Sequence, residues 1–153
     1  VLQLTSTDNT AENLTRIIDG LSHVKRAEII FLPENSLFMR VQEGARLEPT
    51  SVGSEDLRVL LRWVDEKGVS LHIGGTPLSD EGKVYNASVL MEPGRLPRLT
   101  YKKIHLFDIE LSGQKPIRES DSFMRGESPA ILEYRSWRFG QSICYDLRFA
   151  ELF

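Results

Sequence analysis

Apolar residues recur along this chain at two spacings, and the change from one to the other outlines its elements. Leu14, Ile17, Ile18 and Leu21 fall at i, i+3, i+4 and i+7, the stripe of an amphipathic helix. Asp8 or Asn9 supplies its cap, and Glu12 stands where a capping box on Asn9 would close. Leu57, Leu60, Leu61 and Val64 repeat the stripe. Ser54 caps this second helix, Glu55 and Asp56 suit the positive end of its dipole, and Gly68 stops it.

Shorter apolar runs between turn residues read as strands. These cover residues 1–5, 28–32 (ended by Pro33) and 69–75 (ended by Gly74-Gly75). Ser79-Asp80-Glu81-Gly82 is turn chemistry leading into a strand over 84–91, and Glu92-Pro93-Gly94 leads into another through Lys103. Residues 130–134 and 137–144 read as paired strands joined at Arg135-Ser136, and 146–153 as the start of a helix. Residues 40–53, with Gly44 and Pro49, and residues 108–127 show no period and read as irregular. The order β-α-β-loop-α-β-β-β-loop-β-β-α predicts an α/β layered fold with the helices on one sheet face. Val1 opens inside an apolar run and Phe153 closes inside a helical pattern, so the expectation is a piece of a longer chain.

Composition narrows the function. With 153 residues, 41% hydrophobic and 27% charged, the chain can enclose a core in the ordinary globular balance. A formal net charge of -3 argues against nucleic acid, and Lys102-Lys103 is too short a basic cluster to reverse that. No apolar run approaches membrane-spanning length and no leader pattern precedes the first apolar run, so a cytoplasmic protein without a membrane partner is expected. The single cysteine excludes an internal disulfide, and no cysteine–histidine cluster suggests a metal. Asn13 and Asn86 begin glycosylation-type tripeptides, which carry no weight without a secretion signal.

Three positions carry candidate chemistry. Cys144 ends an apolar strand and precedes Tyr145-Asp146 and a helical pattern, the turn that presents a nucleophile. A helix N-terminus there would favour the thiolate. Taken alone, a lone cysteine reads more readily as a small buried hydrophobe. On a strand, Tyr101, Lys103 and His105 share one face while Lys102 points to the other, so Lys103 is the lysine to be drawn inward. Glu34 follows Leu32-Pro33 at the end of the most apolar strand, where α/β folds place catalytic groups. In isolation, solvated edge lysines and a loop acid are the simpler readings of Lys103 and Glu34. His105 is the other candidate base, while His23 and His72 read as structural.

Phe31-Leu32-Pro33-Glu34-Asn35, Tyr101-Lys102-Lys103-Ile104-His105-Leu106-Phe107-Asp108 and Ser142-Ile143-Cys144-Tyr145-Asp146-Leu147-Arg148-Phe149 occur in that order. Together they resemble the nitrilase superfamily of carbon–nitrogen hydrolases, across essentially the whole chain. The resemblance implies catalytic Glu34, Lys103 and Cys144, with Glu119 as a second glutamate that positions substrate and lysine. Tyr145, Asp146 and Arg148 are implied as supporting or substrate residues, Arg148 as a possible grip on an anionic tail. It further implies an αββα sandwich, here the N-terminal part of one domain (residues 1–153), cut off after the nucleophile strand and the start of the next helix. The small-amidase branch, with deaminated glutathione amidase and ω-amidase, is the most similar. A linear 2-oxo acid amide as substrate, a cysteine thioester, no cofactor and a homo-oligomer follow from that resemblance. A thiol redox sensor built on Cys144 and a non-catalytic scaffold are the readings from other classes.

Overall fold

The structure, a computed structural model of the chain, describes residues 1–41, 46–113 and 115–153. Of the irregular segments expected over 40–53 and 108–127, residues 42–45 (with Gly44) and residue 114 lie outside the described residues.

Both predicted helices form. Helix α1 spans Thr10–Ser22, and the Asn9 side chain accepts from the Glu12 N–H at 3.1 Å. The expected reciprocal box is only half made, because the Asn9 N–H goes to Thr7 Oγ1 and the Glu12 carboxylate pairs with Arg16. Helix α2 spans Glu55–Lys67, capped by Ser54 and closed by Gly68 at φ 66°, whose N–H donates to Val64 O.

Strand β1 (Ile29–Glu34) lies parallel to β2 (Ser70–Asp80). Strand β3 (Lys83–Met91) pairs antiparallel with β2, and β4 (Arg98–Lys102) antiparallel with β3, in the order β1-β2-β3-β4. Strand β2 runs past Gly74-Gly75, where the sequence predicted its end. These glycines answer close approach instead: a Cβ on Gly74 would stand 2.6 Å from Leu32 O, and one on Gly75 would stand 2.9 Å from Asn86 Oδ1. The register shifts there, between Ile73 and Thr76, and pairing then resumes as far as the Glu81-Gly82 turn.

One face of the sheet carries the core. Ile17, Leu21, Leu57, Leu60 and Val64 of the helices pack on Ile30, Leu32, Leu71, Ile73, Val89 and Met91. Each fully buried aliphatic side chain of this kind contributes about 1.5–3 kcal/mol. The second face is covered by a ribbon of β7 (Ile131–Tyr134) and β8 (Trp137–Gly140), after the small pair β5 (Asp108–Ile109) and β6 (Ile117–Arg118). Tyr134 donates from its hydroxyl to Glu28 O, and Phe139 meets Phe31 edge-on. Gln141 bridges Thr100 and His72 on the same side. The layers run helix, sheet, ribbon.

The chain ends depart from expectation. Residues 1–5 form no strand, although the Leu2 N–H donates to Phe31 O beside β1. Strand β8 stops at Gly140, short of Cys144. In place of a helix over 146–153, 3-10 turns span Cys144–Arg148 and Ala150–Leu152. A continuous helix is interrupted at Phe149, which is extended (φ -112°, ψ 97°) between the two turns, while the Asp146 side chain accepts from the Ile143 N–H, the Tyr101 hydroxyl on β4 and the His105 N–H beyond it. No helix among the described residues is long and apolar enough to cross a membrane.

Candidate active site

Beyond β4 the backbone stays tied: the Lys103 N–H donates to Asn86 O, and Lys103 O accepts from the Gly126 N–H. Parity then decides between the two lysines. Lys102 turns to Asp80 at 2.8 Å and lies over the Tyr85 ring. Lys103 turns the other way and is 2% exposed. Its ammonium donates to both Glu119 oxygens, at 2.8 and 3.0 Å, and stands 3.6 Å from Glu34 Oε1. Burial alone would lower the Lys103 pKa. The Glu119 hydrogen bonds and the Glu34 charge outweigh it, and the group is held above its ordinary value.

Glu34 closes β1, and the next residue, Asn35, takes a left-handed conformation with its N–H on Gly75 O. Glu119 starts a 3-10 turn (Glu119–Asp121), and its Oε2 also accepts from the Phe107 N–H at 2.7 Å. Asn86, on β3, donates to Glu34 Oε1 at 2.7 Å and to Glu119 Oε1 at 3.1 Å. The sequence marks this residue only as the start of a glycosylation-type tripeptide. An asparagine inside a strand that after Lys83 is otherwise made of Val, Tyr, Ala, Ser, Leu and Met is the available signal. Asn13 and Asn86 are both buried, so neither side chain is presented at the surface.

Cys144 adopts φ 50°, left-handed for a residue with a Cβ and a sparsely populated conformation. Its thiol is within hydrogen-bonding reach of Glu34. Cys144 is exposed as a residue, but partial desolvation of its thiol in the cleft, the Glu34 charge and that hydrogen bond push the thiol up, against a downward pull from Lys103. The thiolate-favouring helix terminus expected from sequence is therefore corrected: the following segment is a short 3-10 turn, and partial desolvation with Glu34 outweighs the pull of Lys103.

The other candidates have distinct places. Asp146 is fully buried. Burial opposes its charge, but donors from Ile143, Tyr101 and His105 hold its carboxyl below the usual range. His105 Nδ1 lies 2.8 Å from Asp146 Oδ1 and its ring stacks on Phe149. Tyr145 sits edge-on to both Phe107 and Phe149. Exposed Arg148 borders a second hollow with Phe107, Cys144, Tyr145 and Leu147; it shares Phe107 and Cys144 with the main cleft, which Arg148 itself does not line. His23 bonds back to Asp19 O, and buried His72 meets Gln141.

Glu34, Lys103, Glu119, Asn86 and Cys144 line one cleft of about 350 Å³, walled by Phe38, Met39, Pro77, Phe107 and Phe123. A thiol, a carboxylate that can take its proton and a buried ammonium on the same cleft suit nucleophilic attack at a carbonyl carbon. Among the described residues, no group of three or more His, Cys, Asp or Glu is placed to hold a metal ion.

Known proteins of the same kind exist. The carbon-nitrogen hydrolase family matches residues 1–153. The omega-amidase NIT2 of Xenopus tropicalis is 34% identical over 149 residues, covering 93% of this chain and 52% of that protein. The deaminated glutathione amidase of a Synechocystis strain is 32% identical over 159 residues, covering 99% of this chain and 58% of that protein. The crystal structure of the C. elegans NitFhit protein superposes with a TM-score of 0.80 at 25% identity, over 99% of this chain and 38% of that one. The chain thus spans about half the length of the curated relatives it matches. By its sequence over its whole length and by its fold, the chain belongs to the carbon–nitrogen hydrolase family.

Proposed function

We propose that this chain is the N-terminal part of a single amidase domain that hydrolyses a linear carboxamide to a carboxylic acid and ammonia through a Cys144 thioester. The observation that carries this reading is the meeting of Cys144, Glu34 and Lys103 on one cleft, with Glu119 and Asn86 fixing the charged pair.

The raised thiol suits a resting state of neutral Cys144 beside Glu34 carboxylate. When an amide binds, Glu34 takes the thiol proton and the sulfur attacks the carbonyl carbon. Negative charge develops on the carbonyl oxygen, where the Lys103 ammonium and the Tyr145 N–H receive it. One preorganised donor of this kind is worth about 3 kcal/mol. As the C–N bond breaks, Glu34 returns its proton to the nitrogen and ammonia leaves. Water then gives a proton to Glu34 and attacks the thioester; the C–S bond breaks, the acid departs and the thiol is restored. Glu119 keeps the ammonium aimed at the oxygen. None of these steps calls on a metal or organic cofactor.

The named activities of the omega-amidase and deaminated glutathione amidase relatives support 2-oxo acid amides as the substrate class. The reading also includes a cytoplasmic homo-oligomer, dimer or larger. The experiment is an ammonia-release screen over 2-oxo acid amides with the protein and its Cys144→Ala variant. Release by the parent and none by the variant is expected. Equal release by both would overturn the assignment.

A further inference from the structure

We propose that Asp146 is a positioning residue: one buried carboxylate sets the spacing between the Lys103 ammonium and the Cys144 sulfur. The inference rests on the roles given to Lys103 and Cys144 above and adds the element that holds them together.

Asp146 is 0% exposed, so it does not meet substrate from the cleft. Its Oδ2 accepts from the Tyr101 hydroxyl at 2.7 Å and from the Ile143 N–H at 3.0 Å. Its Oδ1 takes the His105 N–H at 2.9 Å and His105 Nδ1 at 2.8 Å. Tyr101 and His105 flank Lys103 at two residues on either side, and Ile143 immediately precedes Cys144. The same carboxylate therefore grips the lysine segment on both sides and closes the turn across the cysteine. That turn needs a restraint, because Cys144 is held at φ 50°, and its hydrogen bond to Glu34 is one that the chemistry would break. Stacking of the His105 ring on Phe149, with centroids 3.7 Å apart and planes 8° from parallel, extends the grip past the turn.

The cysteine, histidine and aspartate also invite a different reading, in which His105 is the base and Asp146 orients it. Geometry favours positioning. The His105 Nδ1 bond to Asp146 fits either reading, but His105 lines neither hollow that Cys144 lines, its ring is stacked on Phe149, and the carboxylate that shares the cleft with the thiol is Glu34.

The test measures Cys144 alkylation by iodoacetamide across pH, read as intact mass, with ammonia release measured in parallel. Lys103 pulls the thiol downward, so Lys103→Gln raises the pH midpoint of alkylation. Asp146→Asn is expected to raise it too, by releasing Lys103 from its place. In the Lys103→Gln background Asp146→Asn should add much less than its full shift, since the part that acts through the ammonium is already gone. Turnover should fall about 100-fold in Asp146→Asn with KM within about threefold of the parent. His105→Asn keeps a donor for Asp146 and is expected to hold the parent midpoint. His105→Phe keeps the ring and should lose it.

Should Asp146→Asn not fold, Tyr101→Phe and His105→Phe, each removing one bond, carry the same comparison. A parent-like midpoint in the folded Asp146→Asn protein would overturn the proposal. So would a full additional shift in the Lys103→Gln background, or loss of activity in His105→Asn equal to that in His105→Phe. An absence of ammonia release from any amide would sink the functional reading but leave the alkylation comparison decisive for Asp146.

Discussion

Removing Glu119 tests how the charged cluster is held. Lys103 is 2% exposed, and Glu119 gives it both hydrogen bonds within 3.0 Å, while Glu34 stands at 3.6 Å. Glu119→Ala would also leave the Phe107 N–H without its acceptor and cost Asn86 one of two partners. Breaking a buried ion pair by deleting one member costs about 3–5 kcal/mol, because the remaining charge is left desolvated. Glu34 remains in place and the Glu119 side chain is 14% exposed, which puts this case at the lower end, about 3 kcal/mol. For a domain of this size that corresponds to a fall in Tm on the order of 10 °C. Ammonia release should drop at least about 100-fold, as for loss of one oxyanion donor, because the ammonium is no longer aimed. Glu119→Gln keeps the volume and one acceptor oxygen but sets an amide NH₂ against Lys103 or the Phe107 N–H, so an intermediate effect is expected. Thermal unfolding by circular dichroism and an ammonia assay check both arms. A Glu119→Ala protein melting like the parent with unchanged turnover would refute the reasoning.

Strand parity makes the adjacent lysines unequal: Lys103→Ala should depress ammonia release about 100-fold or more, while Lys102→Ala loses its pair with Asp80 and its place over the Tyr85 ring, both away from the cleft, and stays near the parent. Equal losses in the two variants would mean that the register is wrong. Glu34→Gln should move two readouts in opposite directions. Glu34 raises the Cys144 thiol by charge and hydrogen bond, so its removal lowers that pKa and speeds alkylation at neutral pH. Ammonia release should fall about 100-fold or more as the base is lost. Slower alkylation in Glu34→Gln would contradict the electrostatics.

Where structure is decided within a few residues, it was legible in the sequence. The stripes Leu14-Ile17-Ile18-Leu21 and Leu57-Leu60-Leu61-Val64, with Asn9, Ser54 and Gly68 at the ends, gave both helices. Features decided by distant partners were not. Gly74-Gly75 looks like a terminator in one dimension, but lies where Leu32 O and Asn86 crowd the strand. The segment after Cys144 has helical spacing, yet Phe149 is extended between two 3-10 turns, and Asp146 is tied to Tyr101 and His105 on a segment remote in sequence. At the site, parity correctly separated Lys103 from Lys102, and the motif positions Glu34, Lys103 and Cys144 come together on one cleft. Asn86 escaped notice because its partners, Glu34 and Glu119, lie on other elements. The direction of the thiol shift is hidden for a related reason: helical spacing after Cys144 points to a thiolate-favouring terminus, whereas the carboxylate that raises the thiol, Glu34, comes from a distant strand.

The most direct measurement of the central claim is acid quenching of the protein during turnover of a 2-oxo acid amide, followed by intact mass and peptide mapping. The account predicts a mass gain equal to the substrate's acyl group, carried on Cys144 and abolished in Cys144→Ala. Steady ammonia release with no acyl group on Cys144 at any quench time, and undiminished by Cys144→Ala, would contradict it.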